Sequence, residues 1–160
     1  MAVILPFPPG ADDVPAFFWG VSSPVGPGCP NLAEDVRVVQ WLLMMLYTDP
    51  LLTPPVDQDL DIDGACGPIT CAYILGFQKE AVRKGIPVKT DGRVDPVTLS
   101  NWQLQGSVSH TYYTILSLNT SVYRRFPEMY GGTTFDNLPV FLTAIRQRGL
   151  QGALYSGGAQ

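Results

Sequence analysis

The chain has 160 residues, 46% of them apolar, with a net charge of −4, so it can form a real core and is too small for more than one domain with arms. Ten Lys and Arg are scattered with no run beyond Arg124-Arg125, which argues against nucleic acid as a partner. No stretch approaches the length of a membrane span, and Met1-Ala-Val-Ile-Leu5 lacks the charged start of an export signal, so synthesis in the cytoplasm is expected.

Residues 1–30 carry seven prolines, from Pro6 to Pro30, which forbid a long helix and predict an extended arm. The arm is also rich in Phe and Trp. Phe7, Phe17, Phe18 and Trp19 would be costly to leave in water, so they are expected to dock on the chain's own core or, as assembly contacts, on a neighbouring subunit. A helix starting at Asn31 or Asp35 follows and runs to about Tyr47. Beyond Gln40 it is apolar on every face, so it must be covered all round. Asp49-Pro50 ends it, and Thr53-Pro54-Pro55 reads as a loop.

Asp63-Gly64 is a turn signal, and Gly67-Pro68 opens a helix that ends at Gly85, with Ile74, Phe77 and Ala81 on its apolar face. The unit recurs. Asp63-Gly-Ala-Cys-Gly-Pro-Ile-Thr70 aligns with Asp91-Gly-Arg-Val-Asp-Pro-Val-Thr98, which predicts a second helix entered at Asp95-Pro96 with Leu99 and Trp102 buried. Beyond it, Tyr112, Ile115, Leu116, Asn119, Val122 and Tyr123 share a helical face that ends before Pro127. Asp136 or Asn137 caps a last helix over 138–148, and the Gly-rich end reads as a loose tail.

The apolar helix carrying Val39-Gln40, followed by Asp63-Gly64, Gly67-Pro68, Thr70, Ala72, Ile74 and Phe77-Gln78, resembles the peptidoglycan-binding-domain-like family over roughly residues 31–102. The chain departs from that pattern at Tyr73 and in its long Pro-rich connection before Asp63. The resemblance implies a compact three-helix bundle over 31–106; with the Pro-rich arm over 1–30 and the helical extension and loose tail over 107–160 read from composition and spacing, a mainly α protein is expected. The resemblance also implies a non-catalytic cell-wall binder, with Asp63, Gly64, Gly67, Thr70 and Gln78 as ligand-binding candidates. A binder without an export signal must be carried to its ligand, so a place in a phage virion or contractile injection particle is expected, with other subunits and peptidoglycan as partners. The alternatives are a coat or tail subunit that kept the fold and lost glycan binding, and a cell-wall hydrolase accessory.

Catalytic and metal chemistry is thin. His110 is the single histidine, so no His pair can hold zinc. Asp59, Asp61, Asp63 and Gly64 match the start of a calcium loop, but Thr70 stands where the bidentate Glu belongs. Cys29, Cys66 and Cys71 are odd in number and are expected to be reduced, with no metal and no cofactor. The three glutamates, Glu34, Glu80 and Glu128, show no paired-acid arrangement, and Glu80 is better explained by its neighbour Lys84 at i+4.

Overall fold

A computed structural model describes residues 2–7, 14–97 and 112–130. Its elements are strands β1 (Val3–Pro6) and β2 (Phe17–Gly20), helices α1 (Ala33–Leu46), α2 (Pro68–Arg83) and α3 (Thr114–Arg125), and a 3-10 turn over Pro127–Met129. The fold expected from sequence is therefore corrected: the described residues form a small mixed α/β domain, with three helices and a two-stranded antiparallel sheet, and no three-helix bundle is shown among them.

Two physical causes account for the difference. Prolines rule out a helix in the arm but not strand pairing, and the β-branched and aromatic residues between them favour it. Val3 pairs with Gly20, Ile4 with Trp19, Leu5 with Phe18 and Pro6 with Phe17. The other cause lies after the second Asp-Gly turn. Residues 95–97 are not helical, so the helix expected to open at Pro96 is not present there. Its continuation with Leu99 and Trp102, like His110 and the helix expected over 138–148, lies outside the described residues. The third described helix is α3, from the segment expected to be an extension, and it lies chiefly against α1.

Helix α1 sits at the centre. Val36, Val38, Val39, Leu42 and Leu43 are fully buried and Trp41 nearly so, covered by α3, α2 and β2. The arm supplies much of that cover. Trp19 is completely buried with its ring edge-on to Trp41 at 6.2 Å, Phe18 is buried against Phe7, and Phe17 stacks near Trp19 and Tyr130. Of the four residues expected as assembly contacts, Phe7, Phe18 and Trp19 are thus buried in this chain's own core, and Phe17 is partly buried against it. The arm, α1 and α3 share one apolar cluster.

The free edge of β2 is closed by a side chain. Asn119 on α3 accepts from the Trp19 N–H (2.8 Å) and donates to the Trp19 carbonyl (3.0 Å), as a third strand would. The same amide donates to the Ile115 carbonyl and accepts from the Tyr130 hydroxyl, so this buried group is fully used. Asp35, buried in the first turn of α1, accepts from the Ser22 and Ser23 amides and the Ser22 hydroxyl, fixing where the arm meets the helix. The Trp19 indole N–H is buried and finds no partner among the described residues, a local cost of ~1–3 kcal/mol.

Deleting residues 1–30 should abolish cooperative unfolding. The deletion strips Phe7, Phe18, Trp19, Val21 and Val25 from the core. At ~1.5–3 kcal/mol per side chain, that loss is as large as the whole stability of a typical domain. A truncated chain that still melts in one sharp transition would show that the arm is dispensable to the fold.

Candidate functional site

The residues singled out by the sequence are gathered around two buried glutamine amides. In α1, Gln40 Nε2 lies within hydrogen-bond reach of Asp63 Oδ1 (2.9 Å), the Ala65 carbonyl (3.1 Å) and Thr70 Oγ1 (3.0 Å), while its Oε1 accepts from the Gly64 N–H (3.0 Å). In α2, Gln78 Nε2 lies within reach of Asp91 Oδ1 (3.3 Å), the Arg93 carbonyl (2.8 Å) and Thr114 Oγ1 (3.1 Å), and its Oε1 accepts from the Gly92 N–H (2.8 Å). The two sets match group for group. Each amide clamps an Asp-Gly loop and ties it to a threonine in the first turn of the next helix.

The loops themselves are alike. Asp63 Oδ1 accepts from the Ala65 N–H and Asp91 Oδ1 from the Arg93 N–H, both at 2.9 Å, which makes each an Asx turn. Gly64 and Gly92 sit at φ +77° and +73°, where a side chain would be strained. At Gly64 an added Cβ would also come within 3.1 Å of the Ala33 carbonyl. The second loop is bound to the arm as well, because Val25 and Val94 exchange both backbone hydrogen bonds.

The structure therefore divides the candidates. Asp63, Gly64 and Thr70 meet at the first clamp, while Gln78 is the centre of the second and lies apart from them. Gly67 is the N-cap of α2, with nothing near a Cβ added there. Thr114, on α3, takes the place expected of Thr98, which lies outside the described residues. Gln40 was not among the candidates. Its signal was present in the sequence: it is the lone polar side chain between Val38 and Leu46, and like Gln78 it follows an apolar residue and precedes an Asp-Gly pair.

An open cleft of about 440 Å³ lies between the loop after α1 and the C-terminal half of α2. Tyr47, Leu51 and Pro55 form one wall, and Lys79, Glu80 and Arg83 the other. Gly76 allows the walls to meet, since a Cβ there would stand 2.7 Å from Pro55 Cβ. Burial, together with the charge on Glu80, pushes the Tyr47 phenol up to about 12, so it stays a neutral hydrogen-bonding group at ordinary pH. Arg83 and Lys84 both reach Glu80, at 2.5 and 3.8 Å, and hold its carboxyl below the usual range, Arg83 dominating. A mixed apolar and charged lining of this kind suits a ligand with carboxylates and short apolar groups. Among the described residues no three His, Cys, Asp or Glu side chains are placed to hold a metal ion, and no helix is long and apolar enough to cross a membrane.

The clamps predict unequal costs. In Gln78→Leu the Gly92 N–H is left buried without an acceptor, whereas in Gln40→Leu the Gly64 N–H can reach water. Chemical denaturation should show Gln78→Leu losing ~2–4 kcal/mol and Gln40→Leu less; equal small losses would show that the amides are incidental. Asp63 is held below its ordinary value, first by the Ala65 N–H and then by Gln40. Its folded pKa is depressed, so its contribution is complete above the ordinary carboxylate pKa of about 4 and is lost as pH falls below that. An Asp63→Asn chain should accordingly lose less stability than wild type over that acid range, and parallel acid curves would contradict this. No family model, curated protein or solved structure matches the chain.

Proposed function

We propose that the chain is a non-catalytic cell-wall-binding module that takes peptidoglycan in the cleft between the 47–55 loop and α2. The observation that carries this reading is the division of labour in the site. The motif residues of the resemblance are occupied twice over as internal loop clamps, and the cleft beside α2 is open, with Lys79 and Arg83 on one wall and Leu51 and Pro55 on the other. Peptidoglycan stems carry free carboxylates and small apolar side chains, which suit these two walls. The module would be carried to its ligand as a component of a phage virion or contractile injection particle.

A second reading, a coat or tail subunit without glycan binding, is favoured by one feature: Leu51 on the rim of the cleft is 90% exposed. Co-sedimentation with purified sacculi, run beside light scattering, separates the two. Wild type should sediment with sacculi as a monomer, and the double change Lys79→Glu with Arg83→Glu should weaken that by roughly tenfold, or ~1.4 kcal/mol. A chain that ignores sacculi and self-associates, with association lost in Leu51→Ser, would replace the first reading by the second.

A further inference from the structure

The entry to α2 holds a pair of thiols that neither clamp uses. Cys66 lies in the loop just before the Gly67 cap, and Cys71 lies one turn into the helix, where its N–H donates to the Gly67 carbonyl. Their sulfurs are 3.6 Å apart and both side chains are half-buried, so they touch and a small reagent can reach them. Cys29, on the turn after β2, is also half-buried; its sulfur faces the Pro27 carbonyl at 3.7 Å. Among the described residues no metal-holding cluster includes these thiols.

We propose that Cys66 and Cys71 form a reversible dithiol–disulfide site, closed by a disulfide oxidant and reopened by a thiol. Burial and the neighbouring Cys71 push the Cys66 thiol up to about 12, so Cys66 rests protonated and is assigned the second, resolving attack. The Cys71 thiolate attacks one sulfur of the oxidant, RSSR, and expels RS⁻, leaving a mixed disulfide on Cys71. Cys66 then loses its proton as it attacks the Cys71 sulfur and expels the second RS⁻. In sum two thiols and RSSR give one intrachain disulfide and two RSH, the two electrons passing to the oxidant. The closed ring contains Gly67 and Thr70, so oxidation ties the first loop to α2 covalently at the point where Gln40 ties it by hydrogen bonds.

The test treats the folded chain with oxidised glutathione, alkylates it, unfolds it and maps the peptides by mass. The expected result is that titratable thiols fall from three to one, that Cys29 is the alkylated residue, that Cys66 and Cys71 share a bridge, and that dithiothreitol restores all thiols. Cys29→Ser should form the same bridge, and Cys66→Ser should instead retain glutathione on Cys71. The proposal is overturned if no thiol is lost, if wild type keeps glutathione as a stable adduct, if the bridge maps to Cys29, or if a covalent dimer is the product.

Discussion

A single primary amide, placed once on α1 and once on α2, sets how loop and helix meet in this protein. An Asp-Gly turn leaves a glycine N–H facing inward and a ring of acceptors beside it, and a glutamine amide offers one acceptor and two donors on one rigid plane. Gln40 and Gln78 meet these needs with the same atoms in the same order. Each amide is fully or almost fully buried, where an unmet donor costs more than the bond itself gains. That asymmetry is why a glutamine can stand inside an otherwise apolar helix. It makes the loop the one conformation in which the helix can remain buried.

The arm and α3 follow the same rule at a different edge. β2 has one edge paired with β1, and Asn119 satisfies the Trp19 backbone on the other. This allows the buried rings of Phe18 and Trp19 to lie against α1 and α3 without a third strand. Val25 and Val94 then join the arm to the second clamped loop, so arm, loops and helices form one apolar cluster through a few buried polar contacts. Arg125 on Asp49 at 2.9 Å ties the end of α3 to the turn after α1 in the same manner.

Local signals were legible in the sequence and long-range choices were not. Apolar spacing, Pro68 at a helix start and Gly85 just past the end of α2 placed α1, α2 and α3 within a few residues of their observed bounds. The Asp-Gly repeat was equally legible, because a turn needs only its own residues. Strand pairing between Val3–Pro6 and Phe17–Gly20 was not, since prolines that forbid a helix leave an extended segment free to pair or not. The repeat did not point to Thr114: Thr98 holds the aligned position and lies outside the described residues, while Thr114, 16 residues later, accepts from Gln78. Spacing cannot show that the fold brings Thr114, from a later helix, to Gln78. Nor could it show that Phe7, Phe18 and Trp19 turn inward, because an aromatic arm covers its own core or a neighbour's with the same residue types.

The motif residues hold the two loops in place, and the binding proposed for this chain falls to the cleft along α2. Hydrogen exchange of the two loop glycines in the native chain tests this directly. Gly92 N–H should exchange only through global unfolding, with Gly64 N–H also slowed, and Gln78→Leu should release Gly92 while leaving Gly64 protected. Exchange at both glycines as fast as in an unfolded peptide would show that the clamps do not hold in solution, and the central claim would fall.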